Sequence, residues 1–119
     1  MNDISNPMIQ MLENFLSLTS QRHVLITTNI ANLDTPGYHT RDFDFRGELR
    51  RAMSGESTGL SPVARNVPGL LQRPDGNDVS MDRESLLLAE TQMQFNLGVQ
   101  LIHNQFQQIL TAINEGGKS

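Results

Sequence analysis

The chain has 119 residues, 37% of them hydrophobic and 5% aromatic, with no Trp, no Cys and a formal net charge of −4. A chain of this length holds at most one ordinary domain, its aromatic content is thin for a compact core, and the missing cysteines exclude disulfides and thiolate metal sites. An acidic balance, with pI near 5.2, argues against a nucleic-acid binder that neutralises phosphates and disfavours an anionic membrane surface.

Along the chain, the N-terminus Met1-Asn-Asp-Ile-Ser-Asn-Pro7 has neither a basic n-region nor an apolar h-region, so no cleavable secretory signal is visible. No run of about 20 apolar residues follows to span a bilayer. The first predicted element is a helix from about Pro7 to Ile30, with Asn6 as N-cap and Pro7 at the first helical position. Its apolar series Ile9, Leu12, Leu16, Thr19, His23, Ile26, Ile30 alternates spacings of three and four, a heptad-type seam interrupted by Thr19 and His23. Met8, Met11, Phe15 and Leu18 widen the apolar face near its start.

The helix should end in Asn29-Ile-Ala-Asn-Leu-Asp-Thr-Pro-Gly-Tyr38. Asn32 and Asp34 can bond nearby backbone groups with their own side chains. Pro36 lacks an N–H and pushes Thr35 out of the helical region. Gly37 supplies a positive φ at the third position of Thr35-Pro36-Gly37-Tyr38, which suggests a type II turn.

Residues 38 to 79 show little helical period. Arg46 to Met53 is a candidate short helical turn. Beyond it, Ser54-Gly-Glu-Ser-Thr-Gly59, Pro62, Pro68-Gly69 and Arg73-Pro-Asp-Gly76 read as loop or disorder. A structureless stretch this long is unusual in a compact domain and suits a subunit that orders on assembly. A short hairpin around Val63 to Leu71 is an alternative reading.

The last predicted element is a helix from about Met81 to Ile113, closed by Gly116-Gly117. Ser80 is its N-cap, with Asp82 as a rival, and Asp82 and Glu84 place negative charge in the first turn. Its seam is Phe95, Val99, Ile102, Phe106, Ile109, Ile113, with Leu88 one heptad earlier; a second row, Leu86, Ala89, Met93, Leu97 and Leu101, lies beside it. Two apolar rows imply more than one neighbour. Gly98 costs about 1 kcal/mol in a helix interior relative to Ala; it is either tolerated or marks close approach of another helix. Gln92, Gln94, Gln100, Gln105, Gln107 and Gln108, with Asn96 and Asn104, form either an ordinary exposed face or one that pairs amides against like subunits without desolvating ions.

Little in the chain points to chemistry. His23, His39 and His103 are scattered without metal-ligand spacing. No nucleophile elbow accompanies the serines, and no phosphate-cradling glycine loop is present. Asp42, Asp44 and Glu48 read as a solvated or capping group. The residues supply no catalytic, metal or cofactor site, and an enzyme or small-molecule substrate is not expected.

Two regions carry a family resemblance. Asn29, Ala31, Asn32, Thr35, Pro36, Gly37 and Tyr38 resemble the N-terminal signature of flagellar axial proteins, and Arg41-Asp42-Phe43 resembles its proximal-rod continuation. Val79 to Glu84, Glu90 to Asn96 and Gln100 to Ile102 resemble the terminal helix of the same class, with Ser80 where relatives often carry Asp and Phe95 where they often carry Tyr. These matches cover a little over half the chain.

The resemblance implies a structural subunit of the flagellar basal-body rod. Its terminal helices would stack into a tube around the export channel and transmit torque. The implied partners are like subunits, other rod proteins, the rod-to-ring adaptor with its membrane ring, and the export apparatus that delivers the chain to a periplasmic rod without a cleavable signal. A soluble coiled-coil adaptor or export chaperone is the alternative. The expected fold is mainly α: long N- and C-terminal amphipathic helices in a coiled-coil-like pair with an irregular, flexible middle, divided as 1–37, 38–79 and 80–119.

Overall fold

The structure is a computed structural model that describes residues 6–54 and 62–116. Its frame is two long helices, α1 (Pro7–Ala31) and α3 (Met81–Gly116). Between them lie a short helix α2 (Phe45–Met53) and two two-residue strands, β1 (Arg41–Asp42) and β2 (Arg65–Asn66).

Each helix starts where a side chain satisfies its first free N–H groups. The Asn6 carboxamide oxygen accepts from the Ile9 N–H at 2.7 Å, with Pro7 behind it. The Asp44 carboxylate accepts from the Gly47 N–H at 3.2 Å to start α2. The Ser80 hydroxyl accepts from the Arg83 N–H at 3.2 Å to start α3. Each cap is worth about 1 kcal/mol.

α1 and α3 run antiparallel. Asn29, near the end of α1, bonds Glu84 in the first turn of α3, and Phe15 and Leu16 lie against Gly98. A Cβ built on Gly98 would sit 2.7 Å from Leu16 Cδ2 and 3.1 Å from a Phe15 ring carbon. The glycine therefore marks the close approach of α1, the functional one of its two sequence readings.

The other side of α1 packs on the middle segment. Leu18, Phe43 and Phe45 are buried together, flanked by Phe15, Leu25 and Leu49. Phe15 meets Phe45 edge-on with centroids 5.9 Å apart, and Phe43 stacks beside Phe45 at 6.5 Å. α1 is thus held between α3 and a small aromatic cluster.

The long helices stand where the sequence places them, with modest differences. α1 runs one residue further than expected. α3 continues through Ile113 to Gly116, because nothing before Gly116 stops it; Gly117 lies outside the described residues. The local hairpin over Val63 to Leu71 does not form. Arg65–Asn66 pairs instead with Arg41–Asp42, in antiparallel register Arg41 to Asn66 and Asp42 to Arg65. The Val67 N–H extends this pairing by donating to the Thr40 carbonyl at 2.9 Å, and Gly69, with φ +79°, then turns the chain away. The Gly55–Gly59 part of the expected loop lies outside the described residues.

The shape is long. The extents are 72 × 27 × 18 Å and the radius of gyration is 18.7 Å, against about 13 Å for a compact chain of 100 residues. At about 1.5 Å rise per residue α3 is roughly 54 Å long and α1 roughly 37 Å. Stepping eight residues outward from Phe15 and Gly98 brings Pro7 level with Phe106, so the end of α3 projects past α1.

Candidate functional site: the signature turn and the helix flanks

The chain leaves α1 through the expected turn. The Tyr38 N–H donates to the Thr35 carbonyl at 3.2 Å, and Gly37 has φ +75°. Asn32 and Thr35 bond each other's side chains at 2.9 Å. Thr35, Pro36 and Gly37 are exposed at the tip, as is Ala31.

A second turn lies against this one. Arg73-Pro-Asp-Gly76 closes with the Gly76 N–H donating to the Arg73 carbonyl at 2.9 Å, and Gly76 has φ +87°. The Gly37 N–H donates to the Asp75 carbonyl at 2.9 Å. A Cβ on Gly76 would stand 3.3 Å from Gly37 Cα, so the bare Gly76 lets the turns meet. The fully buried Asn77 then ties them together. Its side-chain NH₂ donates to the carbonyls of Asn32 at 2.9 Å and Thr35 at 2.8 Å, and its oxygen accepts from the Val79 N–H at 2.8 Å. Arg73 donates from the outside to the carbonyls of Leu33 and Val79.

The next residues form a carboxylate clasp. Asp78 accepts from the Thr40 N–H at 2.6 Å and lies 3.3 Å from the His39 ring nitrogen. Burial pushes the Asp78 carboxyl up, but the hydrogen bonds from Thr40 and His39 outweigh it and hold the group below the usual aspartate value.

Of the remaining signature residues Arg41 is exposed, and Asn29, Tyr38, Asp42 and Phe43 are buried or half-buried. Asn29 is buried, and its amide donates to Glu84 Oε1 at 3.0 Å and to the Arg41 carbonyl at 2.9 Å. Its oxygen accepts from the Tyr38 hydroxyl at 2.9 Å and the Arg41 N–H at 3.1 Å. Burial raises the Tyr38 phenol above its usual pKa; Arg41 opposes the rise, while Glu84 and Asp78 add to it. Asp42 takes a bidentate pair from Arg22, at 3.1 and 2.9 Å, and a further bond from Arg83 at 3.1 Å. Arg83 also reaches Glu84 Oε2 at 2.6 Å, and Arg22 lies over the Phe45 ring at 5.9 Å. Phe43 is in the aromatic core. The carboxylates expected as a solvated or capping group divide their work: Asp44 caps, Glu48 pairs with Arg51, and Asp42 joins the arginines.

The N-terminal seam points inward, with Ile9, Leu12 and Ile26 buried and Leu16 and Ile30 half-buried. On α3 the residues buried against α1 are Glu84, Thr91 and Gly98. The expected C-terminal seam flanks this stripe. Ile102 and Ile109 are half-buried at its edge, while Phe95, Val99, Phe106 and Ile113 are 40–61% exposed. The other flank carries Leu86, Met93, Leu97 and Leu101, 43–71% exposed.

Sequence reasoning missed Arg22, Arg73, Asn77 and Asp78 as organisers. Arg22 and Asp42 are 20 residues apart, with no local pattern to link them. The spacing of seven through Asn77, Glu84, Thr91, Gly98 and Gln105 is the one signal that marks the facing stripe.

A cavity of about 460 Å³ opens between the long helices, lined by Thr19, Ser20, His23, Thr91, Gln92, Phe95 and Asn96. Among the described residues no group of three or more His, Asp or Glu could hold a metal ion, and no helix is long and apolar enough to cross a membrane.

No family model matches the chain. Curated relatives do. It is 32% identical to the flagellar basal body rod protein FlgB of Salmonella typhimurium and 30% identical to that of Escherichia coli K12, each match covering 85% of this chain and 88% of the relative. It is also 30% identical to the same protein of Yersinia enterocolitica, over 85% of this chain and 89% of the relative. With a two-helix frame, a signature turn built into its closed end and similarity along most of both lengths, the chain belongs to the family of flagellar basal body rod proteins of the FlgB type.

Proposed function

We propose that this structural component of the flagellar basal-body rod acts at the proximal end of the rod, packing its long helices side by side with like subunits into a tube around the export channel. The observation that carries this reading is the pair of apolar flanks on α3. Phe95, Val99, Phe106 and Ile113 lie on one side of the α1-facing stripe and Leu86, Met93, Leu97 and Leu101 on the other. A monomeric domain rarely leaves such rows uncovered. Burying them against neighbours would stabilise the assembly by about 25 cal/mol per Å² of apolar surface.

The exposed tip of the signature turn, Thr35 to Gly37 with Ala31 beside it, supplies a second contact with neighbouring subunits. Its buried and half-buried residues, Asn29, Asn32, Tyr38, Asp42 and Phe43, with the exposed Arg41, shape that tip. Torque passes along the stacked helices. The partners are like subunits, the next rod proteins and the rod-to-ring adaptor with its membrane ring, and the flagellar export apparatus delivers the chain. Clean deletion in the source bacterium tests the role. Cells should stop swimming, and isolated basal bodies should show rings without a rod by electron microscopy. Swimming cells with intact rods would overturn it.

A further inference from the structure

Most arginines of the chain are engaged within it. Arg22 and Arg83 hold Asp42, Arg51 pairs with Glu48, and Arg41 and Arg73 donate to backbone carbonyls. Among the described residues Arg46, Arg50 and Arg65 meet no carboxylate. Arg46 and Arg50 are exposed and, four residues apart, share one face of α2. Met53 stands beside them, 59% exposed. Phe45 and Leu49 turn the other face of α2 into the aromatic cluster.

The reverse charge stands at the closed end. Asp34 follows α1, Asp75 sits in the second turn and Asp82 in the first turn of α3; all three are exposed, and among the described residues none pairs with an arginine. Pro36 and Pro74 are exposed at the two turns, and Leu71, two residues before the second, is 91% exposed. One surface is basic with a methionine, the other acidic with a leucine and two prolines. They are complementary in charge, and each offers apolar area.

The two surfaces lie at different heights in one chain. Phe45, at the head of α2, is 5.9 Å from the Phe15 ring and 5.9 Å from the Arg22 guanidinium. Those residues precede Ala31 by sixteen and nine positions, so the closed end begins roughly 14–24 Å further along α1. A parallel copy displaced along the long axis by about that distance brings its closed end level with α2.

We infer that the outward face of α2 docks the closed end of a second copy, with Arg46 and Arg50 facing Asp34 and Asp82. The inference rests on the reading that like subunits pack side by side, and it names which surfaces meet. Exposed ion pairs add little affinity but steer the approach and fix the register, so this contact selects the stagger between neighbours.

Charge exchange tests it. Arg46→Glu with Arg50→Glu, and separately Asp34→Lys with Asp82→Lys, should each leave the circular dichroism spectrum unchanged and give non-motile cells whose basal bodies lack a rod. All four substitutions in one chain should restore swimming, because the charges are exchanged rather than removed. Normal swimming with either pair alone overturns the inference. So does a folded four-fold variant that swims no better than the pairs, since the arginines then face a different partner. Where a charge variant fails to fold, Arg50→Cys with Asp34→Cys decides, in a chain that otherwise has no cysteine. A short bismaleimide should link copies into a ladder in isolated basal bodies, and the absence of linked copies overturns the inference. The deletion strain separates the two readings: swimming without the protein refutes the role in the rod, whereas non-motile deletion cells beside swimming charge-reversal strains refute only this docking.

Discussion

The closed end of the molecule depends on a few residues whose conformation or charge has no substitute. Gly37 has φ +75° with nothing within 4 Å of where a Cβ would stand, so a side chain there meets no neighbour and the cost is one of backbone alone. For a β-branched residue that region is a true outlier. Gly37→Val should therefore lower stability by about 1–3 kcal/mol, read as a drop in urea midpoint, and abolish swimming without loss of expression. An unchanged midpoint would mean the turn tolerates another geometry. Asp78 supplies the pH dependence. Its folded pKa lies below the ordinary value, so the clasp contributes fully above the unfolded pKa of about 3.9 and is lost as pH falls through the lower folded value. Asp78→Asn should flatten the acid limb of a melting-temperature profile below about pH 4, and a variant limb as steep as the parent's would place the acid sensitivity elsewhere.

The pairing of α1 with α3 turns on one glycine. Gly98→Val removes some of the propensity penalty of glycine but drives a branched side chain into Leu16 and the Phe15 ring. Leu16 can move; the ring is braced edge-on by Phe45. Overpacking of this kind costs about 1–3 kcal/mol. The urea midpoint should fall, and adding Leu16→Ala should recover part of the loss; strictly additive effects would show that the two side chains do not meet. The long helices were legible because their caps and periods are local: Asn6, Pro7 and Ser80 mark the starts, and the seams give the span. The turn was legible because Pro36 and Gly37 leave the backbone little choice. The middle was not, since what orders it is distant in sequence. Asn77 reaches carbonyls more than 40 residues away, and Arg41–Asp42 finds its strand partner across α2. The facing stripe of α3 was obscured for another reason. It is built of Glu, Thr, Gly and Gln, while the apolar residues that draw the eye lie on its flanks.

At the scale of the whole molecule, the protein has two unlike ends and a long side. One end is closed by stacked turns, and at the other α3 projects past the described start of α1. On the proposed packing, two apolar flanks on one helix would offer one neighbour a different surface from that offered to the next. Heterologous contacts of this kind build rings or open helical assemblies rather than two-fold dimers. Phe106 tests this, because its role in the single chain is small. It is 40% exposed, and Pro7 at the described start of α1 lies level with it. Phe106→Asp should therefore change the folding stability by no more than about 0.5 kcal/mol and leave the circular dichroism spectrum unaltered. The same carboxylate would have to be desolvated against a neighbouring subunit, where an unpaired buried charge is costly. The expected outcome is a soluble, helical protein in non-motile cells whose basal bodies lack a rod. Normal swimming in that strain would show that this flank of α3 faces solvent in the assembled rod, and the contact would then rest on the Leu86 to Leu101 flank.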